Sequence, residues 1–158
     1  MRAVREALQR ASDAVNRGVE FVLLAAGVAI SVILFVQVVA RYSGASLSWS
    51  EEIGRYLLVA ITFLGATVAY KRANFIGLAG VGTMLGPALE RAIVALLQAL
   101  TLTLFAFITW FGVEYTLKSW DQTSTAVQMP MSLPLAAIPV AGLVFALHVL
   151  ADMSRGSR

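Results

Sequence analysis

The chain has 158 residues, of which 59% are hydrophobic and only 13% are charged, and its mean hydropathy of +0.80 is far above that of soluble globular domains. It has no cysteine and a single histidine, His148, which excludes a disulfide framework, an iron–sulfur cluster and a Cys/His zinc site. The net charge of +3 does not indicate nucleic-acid binding, because the basic residues lie beside apolar runs, where they set membrane orientation.

The first predicted element is an amphipathic helix over residues 1–17. At about 100° per residue, Val4, Leu8, Ala11 and Val15 share one side, and the charged residues lie on the other. An arginine-rich helix of this kind is typical of an interface with anionic lipids; partner docking is the alternative. We therefore expect it to lie on the cytoplasmic surface of the membrane.

Four runs are long enough to cross a membrane, since about 20 apolar residues span about 30 Å of hydrocarbon. All four are predicted as helices, because an open sheet edge does not persist in lipid. The first is interpreted as a retained anchor, since its apolar run is longer than that of a signal peptide. The transmembrane domain covers residues 18–150, the spans are Val19–Ala40, Trp49–Tyr70, Ala92–Tyr115 and Met131–Leu150, and residues 151–158 form a cytoplasmic tail.

Between the second and third spans lies an uncharged stretch from Asn74 to Leu89, which contains Pro87 and several glycines. The stretch is too short and too broken to cross the membrane. We predict a short horizontal or weakly re-entrant helix there, on the cytoplasmic side.

The basic residues are distributed unequally between the two sides of the predicted membrane. Only Arg41, Arg55 and Lys118 lie on the side opposite the termini. The positive-inside rule therefore puts both termini in the cytoplasm. The residues that set this orientation are Arg2, Arg5, Arg10, Arg17, Lys71, Arg72 and Arg91, with Arg155 and Arg158 in the tail.

No ionisable residue is predicted at the centre of a span. Such a residue costs free energy in hydrocarbon, so its presence would indicate an ion or substrate site. A self-contained small transporter or exporter would need such an acid, and Glu20, near the edge of the first span, is its candidate. An anchoring subunit of another membrane complex would need ligands such as haem-binding histidines. His148 alone is a poor candidate for such a ligand, since a lone histidine in the last turn of a helix is more often an interfacial or dipole-favoured residue than a ligand. Without a catalytic motif, the chain is typical of a non-catalytic scaffold.

The opening of the second span carries the most informative pattern. Ser48 and Glu51 have the spacing of a capping box, and Glu51 can pair with Arg55 one turn later. The side of the helix that contains Arg55 continues into small residues, which favour close contact with another helix. That helix belongs either to a partner or to this bundle. The candidates for the contact are Trp49, Glu51, Glu52, Arg55, Val59, Thr62, Ala66 and Ala69.

At these residues the chain resembles the small membrane subunit, DctQ type, of the tripartite ATP-independent periplasmic (TRAP) transporters. The pattern Trp-x-Glu-Glu-x-x-Arg-(Tyr/Phe) opens the family's second helix, and here it runs from Trp49 to Tyr56. The resemblance covers roughly Gly18 to Leu150. Its further motifs are Thr62 to Ala66, the pair Lys71 and Arg72, Gln122 to Pro130, and Ala137 to Gly142.

The resemblance implies a large permease subunit, DctM type, which carries the substrate and sodium sites. It also implies a periplasmic binding protein, DctP type, that delivers an organic anion such as a carboxylate or sialic acid. The small subunit is then a static support in the bacterial inner membrane, with no cofactor and no enzymatic activity, and its outer surface helps to dock the binding protein. Phe75 and Ala60 depart from the family pattern, where members often have histidine and tryptophan, so neither of those side chains is essential here.

Overall fold

A computed structural model describes residues 2–73 and 87–156 of the chain. Each of four helical stretches is long and apolar enough to cross a membrane, which confirms the predicted all-α class with four spans. The helices are α1 (Arg2–Tyr42), α2 (Ser48–Ala73), α3 (Pro87–Lys118), the single turn α4 (Ser132–Leu135) and α5 (Ala137–Gly156). The short helix predicted over Asn74–Leu89 and the departure at Phe75 lie outside the described part, except that Pro87 to Leu89 form the start of α3.

The first helix is continuous through the predicted boundary at residue 17. With 41 residues, α1 is about 60 Å long, roughly twice the thickness of the hydrocarbon core. The amphipathic helix predicted as a separate element is therefore the first part of α1. Its buried side also differs from the predicted apolar side: Val4 and Ala11 are exposed, whereas Ser12 and Asn16 are buried. This part of α1 packs on the bundle through Ser12, which contacts Lys71 and His148 of other helices, and through half-buried Val15. The Asn16 amide instead bonds Glu20 of α1 itself.

The fourth span occupies the centre of the described bundle. α5 packs against α1, α2 and α3, whereas α3 packs mainly on α5 and on the short α4. The main core joins Val19 of α1, Leu64 and Val68 of α2, and Ala141 of α5. We call the end where α1 begins and α2 and α5 finish the terminal end. The opposite end, where turns join α1 to α2 and α3 to α4, is the loop end.

Two glycines let α3 and α5 approach closely. A Cβ atom on Gly112 of α3 would come within 3.2 Å of the Pro139 ring. A Cβ atom on Gly142 of α5 would overlap the hydroxyl of Thr109. α3 therefore packs closely on the Ala137 to Gly142 segment of the central helix α5, since larger side chains would hold the backbones of α3 and α5 apart.

Candidate partner-binding surface

Most of the predicted contact residues of α2 lie at the surface. Arg55, Thr62, Ala66 and Ala69 are exposed and, together with exposed Leu58, run along one side of the helix. We call these five residues the α2 outer face. A contact inside the described bundle would bury them, so that alternative does not apply to this part of the chain. Of the other candidates, Trp49 and Glu51 are exposed, and Glu52 and Val59 are half-buried.

The exposed surfaces of the neighbouring helices have a different composition. α3 exposes large apolar side chains, among them Leu100, Leu104 and Trp110, which is 73% exposed. α1 does the same with residues such as Phe21 and Phe35. Large flexible side chains of this kind are suited to lipid, whereas small residues let a second helix come close. α3 also exposes small residues, among them Ala95 and Ala99, but it has no Lys or Arg between Ala92 and Leu117. Of α2 and α3, the α2 outer face is therefore the exposed surface that combines small residues with an outward charge.

Arg55 forms no ion pair with a described residue, so the predicted pair with Glu51 is absent. Glu51 instead faces α1, where the side-chain amide of Gln37 donates to its carboxylate over 3.3 Å. The predicted capping box does not form in the described structure either, and Ser50 bonds the carbonyl of Leu47 over 2.7 Å. The nearby α1 side chain thus displaces the local helix pairing of Glu51, and the Arg55 guanidinium is left facing outward.

Glu52 joins α2 to the segment that connects α3 with α4. The hydroxyl of Tyr56 donates to one oxygen of its carboxylate. The backbone N–H groups of Ala126 and Val127 donate to the other oxygen, over 2.8 and 3.1 Å. These bonds fix the connecting segment over the start of α2, and we refer to them as the loop clamp. The sequence pattern marked Glu52, but it did not reveal partners more than 70 residues away.

A second set of polar contacts, the terminal-end network, joins three helices at the opposite end. The Lys71 ammonium donates to the Ser12 hydroxyl over 2.8 Å and pairs with Asp13 over 2.7 Å. The Ser12 hydroxyl lies 2.8 Å from Nδ1 of His148, whose side chain is only 2% exposed. The Ser12 hydroxyl thus bridges Lys71 of α2 and His148 of α5. The prediction placed His148 in the last turn of its helix, but α5 continues to Gly156 and the ring is buried against α1.

The one candidate acid for a self-contained transporter is already engaged at the terminal end. The Arg72 guanidinium pairs with the Glu20 carboxylate over 2.9 Å, and the Asn16 amide donates to the same oxygen over 2.7 Å. Lys71 and Arg72, predicted only to set orientation, therefore also attach α2 to α1. The orientation-setting residues whose side chains the structure describes all lie toward this end: Arg5, Arg10, Arg17, Lys71, Arg72 and Arg91.

Comparison with known proteins gives one consistent family. Residues 30–158 match the family described as tripartite ATP-independent periplasmic transporters, DctQ component. The chain is 27% identical over 141 residues to the isethionate TRAP transporter permease protein DctMQ of Oleidesulfovibrio alaskensis, covering 84% of this chain but only 22% of that protein. It is 25% identical over 142 residues to the ectoine TRAP transporter small permease protein TeaB of Halomonas elongata, covering 87% of this chain and 74% of that protein.

Proposed function

Because the chain belongs to the DctQ component family and is a small membrane subunit of a TRAP transporter, we propose that the α2 outer face is where it holds the large membrane subunit of that transporter. The family implies such a partner. In this proposal, a helix of the large DctM-type subunit packs against the small residues of the face. A carboxylate of that subunit meets Arg55 near the loop end.

The observation that carries the proposal is the contrast among exposed surfaces. The α2 outer face combines small residues with an outward arginine, whereas the exposed small residues of α3, such as Ala95 and Ala99, lie beside large apolar side chains and have no Lys or Arg among them. An outward guanidinium without an ion pair is costly near hydrocarbon, and a partner helix that supplies a carboxylate removes that cost. The small residues permit the close approach that this pairing needs.

The polar contacts at both ends of α2 support a static role. The loop clamp holds the start of the helix through Glu52, and Lys71 and Arg72 hold its end. A helix fixed in this way presents its outer face in one orientation, as a scaffold requires. The moving parts, the substrate site and the coupling sodium site then belong to the large subunit, and this chain needs no cofactor and catalyses no reaction.

The remaining features of the transporter follow from the same proposal. The positive-inside rule places both termini in the cytoplasm and the loop end in the periplasm. The chain then lies in the bacterial inner membrane, and a DctP-type binding protein delivers an organic anion to the complex. The segment fixed by the loop clamp exposes Trp120 on that side, where it helps to dock the binding protein.

Co-purification of the large subunit tests this proposal. The affinity-tagged chain is extracted from its native membrane in mild detergent, and co-purifying proteins are quantified by mass spectrometry. Ala66→Leu adds bulk to the α2 outer face, so we expect the large subunit to be lost. Ala99→Leu makes the same change at an exposed position of α3, and we expect the large subunit to be retained.

Two results would contradict the proposal. Loss of the large subunit with Ala99→Leu but not with Ala66→Leu would move the contact to α3. Purification of the chain alone, together with solute uptake by liposomes that contain only this chain, would favour a self-contained transporter. Glu20 would then be the acid to substitute.

A further inference from the structure

A polar pocket opens at the loop end between α1 and α2. Its volume is about 340 Å³, and it lies beside the seam between the two helices. The turn after α1 forms one wall, and hydrogen bonds back to the last turn of α1 fix its shape, including one from the N–H of Ala45 to the carbonyl of Ala40 over 2.9 Å. The pocket is lined by Gln37, Arg41, Gly44, Ala45, Ser46, Leu47 and Glu51.

The pocket contains opposite charges that do not neutralise each other. The Arg41 side chain is exposed and forms no ion pair or side-chain hydrogen bond with a described residue. The Glu51 carboxylate has one neutral donor, the amide of Gln37 at 3.3 Å, and is not within 4.0 Å of the Arg41 guanidinium. The pocket therefore offers a cation and an anion at separate places. A ligand with one negative and one positive group would satisfy both.

The surroundings of the pocket indicate a membrane lipid. On the side toward the middle of the spans, the seam continues past Leu34, which is 47% exposed and lies against Gly54 of α2. Val38 of α1, between Leu34 and the pocket, adds exposed apolar surface. A ligand with a charged headgroup in the pocket can therefore lay hydrocarbon chains along the two helices.

We infer that this pocket binds the headgroup of a zwitterionic phospholipid with a primary amine, that is, a phosphoethanolamine lipid. Arg41 binds the phosphate, since a guanidinium matches phosphate oxygens in a bidentate geometry. Glu51 accepts hydrogen bonds from the ammonium group, and the side-chain carbonyl of Gln37 is free to accept another. A phosphocholine lipid lacks these ammonium hydrogens, and a phosphoglycerol lipid lacks the cation, so both bind less tightly.

Native mass spectrometry of the full chain, delipidated and purified with any partner that it retains, tests this inference. The protein is titrated separately with phosphatidylethanolamine, phosphatidylcholine and phosphatidylglycerol that have identical acyl chains. We expect the first to bind about tenfold more tightly than the other two, which corresponds to one additional charge-assisted hydrogen bond. Arg41→Gln should weaken all three by a similar factor, since all contain phosphate. Glu51→Gln should remove the preference for the primary amine and leave the other two lipids unchanged.

Matched controls come from the same end of the molecule. Glu114→Gln and Lys118→Gln alter an exposed ion pair outside the pocket and should change none of the affinities. Equal binding of the three lipids by the unmodified chain, or a preference that survives Glu51→Gln, would overturn the inference. Competition by glycerophosphoethanolamine, which has no acyl chains, as strong as that by the lipid would assign the pocket to a soluble zwitterion instead. None of these results depends on where the large subunit binds, so they are separable from the test of the α2 outer face.

Discussion

The second and third helices both expose one full side. They differ in the side chains that they expose and in the contacts that hold them in the bundle. α2 exposes Arg55 with Thr62, Ala66 and Ala69, whereas α3 exposes several alanines beside leucines, phenylalanines and Trp110, with no arginine among them. Polar contacts hold α2 at both ends, through Glu52 at the loop end and through Lys71 and Arg72 at the terminal end. α3 is seated by close glycine contacts with α5.

This contrast supports the proposal that the α2 outer face contacts a protein helix and that the exposed side of α3 contacts lipid. In lipid there is no hydrophobic force to drive two helices together, so association depends on close packing and on polar contacts. The α2 outer face offers both, and its orientation is fixed by contacts at each end. The α3 surface has small exposed residues such as Ala95 and Ala99, but large side chains such as Leu96 and Leu100 lie beside them, and it has no Lys or Arg between Ala92 and Leu117.

Arg55→Glu is expected to have the largest effect on this contrast. The substitution puts an anion where the proposal requires a cation, so a carboxylate of the partner is left uncompensated. We expect the large subunit recovered per small subunit to fall by about tenfold or more, measured by quantitative mass spectrometry after affinity purification. Lys118→Glu, at an exposed position at the end of α3, should leave the ratio unchanged. Equal losses in the two variants would show a general charge effect and no specific contact.

Gly142→Ala tests the close packing of α3 on α5. The added methyl group would overlap the Thr109 hydroxyl, and overpacking of this kind costs about 1–3 kcal/mol of unfolding free energy. Gly27→Ala is the matched control, because no side-chain atom lies within 4 Å of its added carbon. The control should be neutral or stabilising by up to about 1 kcal/mol. Unfolding in detergent followed by circular dichroism measures both, and identical behaviour would contradict the close approach of α3 and α5.

Ser12→Ala tests the terminal end of α2. The substitution removes an oxygen shared by Lys71 and His148, and we expect a loss of about 1 kcal/mol. Ser43→Ala removes only an exposed bond to the carbonyl of Val39, so stability should change by less than about 0.5 kcal/mol. The same unfolding assay compares the two variants. If they are equally stable, the terminal-end network does not hold α2 in place.

Glu52→Gln should have the smallest and most local effect. The amide has only one oxygen in place of two, so it cannot accept from Tyr56 and from the backbone of Ala126 and Val127 in the same way. We expect several-fold faster hydrogen exchange at those two backbone amides, with little change in global stability. Glu51→Gln should leave their exchange unchanged, since Glu51 bonds Gln37. Unaltered exchange in Glu52→Gln would show that other contacts fix the segment.

The spans were predictable because the thickness of the bilayer imposes a minimum length on any apolar helix that crosses it. The pattern from Trp49 to Tyr56 likewise indicated the family that the comparisons confirm. Helical periodicity also placed Arg55, Thr62, Ala66 and Ala69 on one side of α2. Periodicity could not show whether that side faces the bundle or the outside, because it identifies which residues share one side of a helix but not what that side contacts.

The contacts at the two ends of α2 were not predictable in the same way. Glu52 and Ala126 are 74 positions apart, and Ser12 and His148 are 136 apart, so no local rule connects them. The local rules for Glu51 predicted bonds with Ser48 and Arg55, and a side chain of another helix displaced both. The continuous α1 was missed for a related reason: a local charge pattern does not show that Ser12 bonds Lys71 and His148 of other helices.

The most direct test of the central claim compares Thr62 on the α2 outer face with Thr103 on α3. Both are exposed threonines whose hydroxyls bond the carbonyl four residues earlier in their own helix, and the chain has no native cysteine. A photoreactive label attached to Thr62→Cys in native membranes should cross-link to the large TRAP subunit, and the same label on Thr103→Cys should react with lipid alone. Cross-linking to the large subunit from Thr103→Cys, with only lipid adducts from Thr62→Cys, would contradict the account.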